Sequence, residues 1–299
     1  MTSYAFFGAL EMGFAYGLMV IGVYLTFRIL DFPDLTVDGS LPLGAAVTAV
    51  CISSGYSPMV AILFAACAGF MAGAVTGILN TKFKILHLLA SILTMISLYS
   101  INLRIMGKPN MTLLGQDTVV DWFIEATGLV PHLSTPLLFF FICAVAVAIL
   151  IWFMHTELGL AFLATGDNKQ MITSQGINTD TVIILGVGLS NALVAISGSL
   201  VAQNQGAADV NMGVGTIIAG LASVIIGETV FGDKTISRAL IAALLGSVMY
   251  RLAIALALGL KLGEFSFTPS DLNLITALLV IIALVMPRMK KKFLARSAK

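Results

Sequence analysis

The side chains able to do chemistry in this chain are polar residues set inside long apolar segments. Glu11 lies a third of the way into the first segment, and Asp38 begins the second. Four further residues bring amides and a hydroxyl to a later segment and its outer end: Asn191, Ser197, Gln203 and Asn204. A charge at the centre of a membrane costs about 3 kcal/mol on insertion scales, so Glu11 and Asp38 are candidates for a solute or ion path. Hydrogen bonds between helices explain the amides and the hydroxyl equally well, and both explanations stay open.

Hydrolytic and metal chemistry find no support in the sequence. The three histidines, His87, His132 and His155, lack the spacing of metal ligands, and the three cysteines lack it too. No serine has a recognisable base partner. There is no G-x-x-x-x-G-K-S/T loop to cradle a phosphate. We therefore expect no enzymatic activity, no ATP hydrolysis by this chain itself, and no metal or other cofactor.

Long apolar helices must carry these polar residues. Hydrophobic residues make up 59% of the 299 residues and charged residues 10%, and the mean hydropathy is +1.01. Such values predict an all-α polytopic membrane protein. Because a span needs about 20 apolar residues, about nine spans are predicted, some of them broken or re-entrant. Their ranges are 4–27, 38–54, 59–79, 85–106, 136–154, 181–203, 213–230, 239–260 and 270–287.

The connections between the spans leave no room for a soluble domain. The longest run over residues 107–135 and 155–180, so residues 1–299 are predicted to form a single membrane domain. The first span begins at Tyr4 without a basic leader region or a small-residue cleavage site. We interpret it as a retained span and not as a signal peptide.

The Lys and Arg residues fall unequally on the two sides of these spans. One side holds twelve of them, and the other side holds only Arg104, Lys108, Arg251 and Lys261. The positive-inside rule then predicts a cytoplasmic C-terminus and an external N-terminus. The basic tail, residues 288–299, is expected to lie on anionic lipid at the inner face, and no nucleic acid partner is expected.

The backbone is predicted to break at two places inside the membrane. The stretch "RILDFPDLTVDGSLPLGAAV" combines three Asp, two Pro and two Gly, and "QNQGAADVNMGVGTIIAGLASV" is also rich in Gly. Discontinuous helices are tolerated at membrane depth only where protein or a water-filled cavity satisfies the freed groups, so they indicate a transport path. Residues 34–50 and 209–225 also align weakly, as an inverted repeat would, although chance similarity of Gly/Ala-rich helices explains this as well.

Glycines recur on one face of the third span, at Gly69, Gly73 and Gly77. Small residues at this spacing let another helix approach closely. The partner helix belongs either to the same chain or to a second subunit.

A long polar run, "LATGDNKQMITSQGINTD", predicts a short helix in the water over about residues 167–176. Asp167 is a candidate N-cap with Gln170 completing a capping box, and Gly176 is a candidate C′ stop. Met171 and Ile172 form its apolar pair. A helix this short is marginal in water, so we expect it to dock in a partner or to lie on the membrane surface.

This region resembles the cytoplasmic loop of ABC importer permeases of the branched-chain amino acid and ribose type. The family run "T-x-x-G-x-x-x-x-A-x-G-x-N" followed by a "G-I" pair is matched by Thr156, Gly159, Ala164, Gly166, Asn168, Gly176 and Ile177. "GETVFGDKTISRALIAALLGSVM" resembles the turn that precedes a later span of the family. The chain departs from the family at Leu160, where a basic residue is usual, and at Gln170 and Met171, which replace a small pair. These departures suggest a subfamily, for which we expect the group associated with aromatic amino acid uptake.

The resemblance implies a permease in the bacterial cytoplasmic (inner) membrane that forms a homodimer with the path between the copies. Two cytoplasmic ATPases and an extracytoplasmic binding protein would complete the importer, and the solute would be small and polar, such as an amino acid. It also implies that the short helix couples the permease to the ATPase. The residues concerned are Thr165, Gly166, Asp167, Asn168, Gln170, Met171, Ile172 and Gly176.

Two alternatives remain at the level of sequence. Arg104, Arg251 and Lys261 lie near outer span ends, where they either pair with carboxylates of a docked binding protein or extend to the lipid headgroups. An ion-coupled secondary transporter is the second functional hypothesis, supported by Glu11, Asp38 and the possible inverted repeat.

Overall fold

The computed structural model describes the backbone of residues 3–259, together with 261–262, 265–266, 277–278 and 281. The described chain is mostly helical, as predicted. In chain order the elements are α1 (Ser3–Tyr24), α2 (Val37–Ser53), α3 (Pro58–Thr81), α4 (His87–Met106), β1 (Asn110–Thr112), α5 (Val119–Thr127), α6 (Pro131–Met154), α7 (Glu157–Asp167), α8 (Lys169–Ser174), α9 (Thr179–Gln205), β2 (Ala207–Asp209), α10 (Thr216–Phe231), α11 (Ile236–Gly259), β3 (Lys261–Leu262) and β4 (Phe265–Ser266).

Six helices of the described part are long and apolar enough to cross a membrane. They are α1 with its extension, α3, α4, α6, α9 and α11. The prediction of about nine spans is not confirmed, because α2 and α10 have only 17 and 16 residues. At 1.5 Å per residue each is about 25 Å long, short of the roughly 30 Å of hydrocarbon. The predicted span 270–287 lies outside the described residues, apart from 277–278 and 281.

Helix α9 lies at the centre of the packing, against α1, α2 and α3. The glycine row of α3 packs on it: a Cβ at Gly77 would lie 2.8 Å from the Cα of Ile184, and Cβ atoms at Gly69 and Gly73 would overlap the carbonyls of Asn191 and Val187. The partner helix therefore belongs to the same chain. This contact decides between the two explanations of the row in favour of internal packing.

The backbone breaks where it was predicted to break. After α1 the chain forms one π-helical turn, Leu25–Ile29, leaves the helix at Leu30 and re-enters it at Val37. At the second break, α9 stops at Gly206, which has a left-handed φ of 67° and suits glycine. Strand β2 then pairs antiparallel with β1 before α10 begins.

The two short helices, α2 and α10, begin close to each other and run in opposite directions. Ser40 and Thr48 of α2 bond Asn191 and Ser199 of α9, so α2 runs parallel to α9. Helix α10 starts beside Asp38 and ends near Arg28, at the level where α9 begins. We call α2 and α10 the two half-helices; their N-terminal ends meet close to the middle of α9.

Candidate functional site

Asp38 joins the N-terminal ends of the two half-helices. Its carboxylate accepts hydrogen bonds from the N–H groups of Gly215 and Ile217, at 3.1 and 2.9 Å, and from the hydroxyl of Thr216, at 3.0 Å. Gly215, the N-cap residue of α10, has no side chain that could do this. A carboxylate at this position satisfies orphan N–H groups and complements the helix dipole. Asp38 was predicted to line a path. In the structure its side chain, which belongs to α2, caps the N-terminus of α10.

A buried network centred on Asp34 fixes the first break to α9. The carboxylate of Asp34 is fully buried and accepts from the Thr36 N–H at 2.9 Å and from the Asn191 side-chain amide at 2.7 Å. The Asn191 amide oxygen accepts in turn from the Ser40 hydroxyl at 2.7 Å. Both oxygens of Asp34 and both ends of the Asn191 amide are thereby used. Within the described part of the chain, no cationic side chain contacts this buried carboxylate.

Sequence reasoning missed Asp34, although a signal for it was available. In the alignment of residues 34–50 with 209–225, Asp34 is paired with Asp209. Each of these aspartates accepts a hydrogen bond from the N–H two residues on, that of Thr36 at 2.9 Å and that of Asn211 at 2.7 Å. Each segment then leads into one of the half-helices. The shared Asx turn supports the inverted repeat.

Three of the predicted path residues are buried in contacts between helices. Asn191 bonds Asp34, the Ser197 hydroxyl donates to the Ala15 carbonyl at 2.7 Å, and Gln203 accepts from the Val119 N–H at 2.9 Å. All three side chains are less than 5% exposed. For Asn191, Ser197 and Gln203, hydrogen bonding between helices is thus the explanation that the structure favours over lining of a path.

Glu11 and Asn204 form a half-buried pair between α1 and the outer end of α9. The Asn204 amide donates to the Glu11 carboxylate at 2.9 Å. Of the predicted docking residues, Arg104 is exposed in the last turn of α4. Arg251 instead lies within α11, and its guanidinium is 3.9 Å from the ring centroid of Tyr16. This is a cation–π contact, in which a cation is attracted to the face of an aromatic ring. The Lys261 side chain lies outside the described residues.

The predicted cytoplasmic helix exists as α8, with one correction to its N-cap. Asp167 ends α7, and Asn168 caps α8 by accepting from the Met171 N–H at 3.0 Å. Asn168 has the extended backbone that an N-cap needs, with φ −152° and ψ 94°, and Asn caps as well as Asp. The capping box predicted for Gln170 is therefore wrong.

The predicted stop at Gly176 is confirmed. Gly176 has φ 86° and donates to the Thr173 carbonyl at 3.0 Å, while Ile177 donates to the Ile172 carbonyl at 3.3 Å. These two bonds are the Schellman pair that closes a helix on a left-handed glycine.

Replacing the two candidate caps by Ala separates them experimentally. Asn168→Ala is expected to destabilise α8 by about 1 kcal/mol, whereas Asp167→Ala should change its stability by less than about 0.5 kcal/mol. Hydrogen exchange of the α8 amides measures the difference. Equal protection in the two variants would contradict the assignment of the cap.

The two apolar residues of α8 point in different directions. Ile172 is 3% exposed and packs against the protein, whereas Met171 is 47% exposed. Thr165, another predicted coupling residue, is buried, and its hydroxyl donates to the Ala161 carbonyl at 2.6 Å. Met171, and not Ile172, is therefore the exposed apolar residue of α8.

Gly166 brings the α7–α8 segment into contact with the first break. A Cβ at Gly166 would overlap the carbonyl oxygen of Ile29, the last residue of the π-helical turn. In the same turn, Arg28 makes a two-point ion pair with Glu228 near the end of α10, at 2.8 and 2.6 Å. Short contacts thus lead from α7 to the turn before α2 and to the end of α10.

No group of three or more potential metal ligands occurs in the part of the chain that the structure describes.

Two half-helices that meet inside a membrane bundle, with a capped helix beside the break, define a class of protein, the polytopic membrane permease. Residues 5–285 match the family model described as branched-chain amino acid transport system / permease component. The chain belongs to this family. It is the multi-pass membrane subunit of an ABC importer, and ATP hydrolysis belongs to a separate subunit. This membership decides against the ion-coupled alternative.

Individual relatives agree with the family. The chain is 43% identical over 264 residues to the tyrosine transport system permease protein of Clostridioides difficile, covering 88% of this chain and 85% of the relative. It is 30% identical over 167 residues to the galactofuranose transporter permease protein YtfT of Escherichia coli, covering 55% and 47%. Among solved structures, PsaBC from Streptococcus pneumoniae in complex with Fab matches with a TM-score of 0.52 at 15% identity, over 95% of this chain and 91% of that chain. This last likeness concerns the fold alone.

Proposed function

We propose that this permease imports an amino acid, and more narrowly an aromatic one. An extracytoplasmic binding protein delivers this amino acid to the permease. The support is the 43% identity to a permease named for tyrosine transport. In this proposal residues 1–299 are one membrane domain in the bacterial cytoplasmic membrane. The N-terminus is external, and the C-terminus is cytoplasmic. The basic tail 288–299, which lies outside the described residues, rests on anionic lipid.

The proposed assembly contains two copies of this chain, two ATPases and the binding protein. The observation that carries the coupling role is α8, a helix of six residues closed by a cap at each end, with Met171 exposed. A helix this short does not persist alone in water, so packing and partner contact must hold it. Arg104 remains the docking residue whose exposure suits contact with the binding protein, and Lys261 is retained with it.

The contacts suggest how a displacement of α8 by the ATPase would be transmitted to the membrane helices. Movement of α7 would press Gly166 on the Ile29 carbonyl and shift the π-helical turn. The Arg28–Glu228 ion pair would carry the same displacement to α10, and Asp38 would carry it across to α2. A rigid displacement of the two half-helices relative to α9 is the proposed alternating step.

Met171→Asp tests the docking of α8. We expect the ATPase to bind the variant about thirtyfold more weakly, because burying a Met side chain contributes about 2 kcal/mol that a carboxylate cannot supply. Co-purification of the ATPase with the permease, and uptake of labelled L-tyrosine by vesicles containing the whole importer, measure this. Leu114→Asp is the matched control, since Leu114 is 91% exposed in the loop after β1. Undiminished ATPase binding by Met171→Asp would refute the docking role.

A further inference from the structure

A cavity of about 340 Å³ lies where the N-terminal ends of the half-helices meet. Helix α2, helix α4 and the segment between β2 and α10 form its walls. Its apolar side consists of Pro42, Met95, Ile96, Val210 and Val214. The volume is at the lower end of the range for small-molecule sites, about 300–1,000 Å³. The cavity is therefore suited to one solute of amino acid size.

Asn102, one of the residues that line this cavity, carries an unpaired acceptor. The Asn102 side chain is 1% exposed and its amide N–H donates to the Gly39 carbonyl at 3.2 Å, which fixes the orientation of the amide. The Asn102 Oδ1 atom has no hydrogen-bond partner among the described residues. Buried polar groups of native proteins are nearly always paired, so this acceptor can take a donor that a water or a ligand in the adjoining cavity supplies.

The polar end of the cavity offers acceptors and very few donors. No Lys, Arg or His is among the residues that line it in the described part of the chain. The carboxylate of Asp38 takes up N–H groups of α10, so these N–H groups are not free to hold an anion. Such a site favours a positively charged donor.

We infer that this cavity binds the ammonium group of an amino acid that has an apolar or aromatic side chain, with Asn102 Oδ1 as its acceptor. The apolar wall takes the side chain, and the ring of Tyr99, which is 51% exposed, stands at the mouth. The inference rests on the proposed function and deepens it, because it assigns a solute site within the permease and a chemical reason for its selectivity. It also places the outer face of α4 at Tyr99 and Ser100 on the aqueous path.

Binding to the purified full-length permease in lipid nanodiscs tests the inference. The probes are L-tyrosine, tyramine, which lacks the carboxylate, and 3-(4-hydroxyphenyl)propionate, which lacks the ammonium group. We expect titration calorimetry to detect L-tyrosine and tyramine, and to find the propionate at least about tenfold weaker, since hydrogen bonds to charged groups are the strong ones. Asn102→Leu should weaken L-tyrosine by roughly tenfold or more. Thr94→Val, which removes a buried hydroxyl from the same helix outside the cavity, is the control.

Several outcomes would overturn the inference. One is that the propionate binds as tightly as L-tyrosine, and another is that Asn102→Leu binds L-tyrosine as tightly as Thr94→Val does. The inference also fails if sodium competes with L-tyrosine and amines do not, or if L-tyrosine does not bind at millimolar concentrations. Uptake by the assembled importer separates the two proposals. If wild-type importer moves no amino acid with ATP, the proposed function fails; if it moves L-tyrosine and Asn102→Leu is unimpaired, only this inference fails.

Access to the cavity provides an independent test. In a chain whose native cysteines are replaced by Ala, Ser100→Cys should react with a membrane-impermeant thiol reagent, and L-tyrosine should slow the reaction. Ile101→Cys is the control, because Ile101 lines a separate apolar groove between α3 and α4. A Ser100→Cys variant that is as unreactive as Ile101→Cys would place this face in lipid and refute the site.

Discussion

Replacing Asn191 by Leu is expected to lower the free energy of unfolding by about 3 kcal/mol, because it leaves a buried carboxylate oxygen without its side-chain donor. The Asp34 oxygen that accepts from Asn191 at 2.7 Å would face a methyl group, and the Ser40 hydroxyl would lose its acceptor. Leu has the same number of side-chain heavy atoms as Asn and the same branch point, so the main effect comes from the lost hydrogen bonds. Thermal unfolding of the purified permease in detergent measures it.

Asn204→Leu is the matched control for this prediction. Asn204 is also an asparagine of α9 paired with a carboxylate, that of Glu11 at 2.9 Å, but this pair is half-buried and Glu11 can turn to water. The expected loss there is about 1 kcal/mol. A double variant, Asp34→Leu with Asn191→Leu, should be more stable than the sum of the single effects, since it removes both partners. Similar melting of Asn191→Leu and Asn204→Leu would contradict the network.

The positions of the helices could largely be predicted because lipid imposes them. Apolar length alone located the six long spans, and the clusters of Asp, Pro and Gly located both breaks. The count of nine spans is not confirmed, and two of the predicted segments show why hydropathy alone does not decide it. Hydropathy registers that α2 and α10 are apolar, but it does not register that their ends lie inside the protein and are satisfied by Asp38.

The roles of the polar residues were harder to predict, because a hydrogen bond depends on which helix lies opposite. The sequence places Asn191 and Ser197 on one face of α9 but does not show that Asp34 and Ala15 fill the space in front of them. The predicted N-cap of α8 was wrong by one residue, for a local reason. Asp167 and Asn168 have nearly equal capping tendencies, and α7, which was not predicted, continues through Asp167.

Replacing Gly166 by Val is expected to abolish most ATP-driven uptake while the importer still assembles. The added carbons would overlap the Ile29 carbonyl, and since this is backbone it cannot rotate away. Overpacking of this kind costs about 3 kcal/mol, which is relieved when α7 separates from the π-helical turn. If α8 docks as proposed, the substitution leaves the exposed Met171 unchanged, so the ATPase should still bind and hydrolyse ATP. Uptake and hydrolysis measured on the same vesicles would then show hydrolysis without transport.

The control for Gly166→Val is Gly8→Val, another glycine within a helix, which has no atom within 4 Å of an added Cβ. We expect it to assemble, hydrolyse ATP and transport as the unchanged chain does. The route from α7 to the half-helices requires that the two activities separate only in Gly166→Val. If that variant transports normally, or if ATPase binding is lost together with transport, then force does not pass through the Gly166–Ile29 contact and must enter the membrane by another part of α7 or α8.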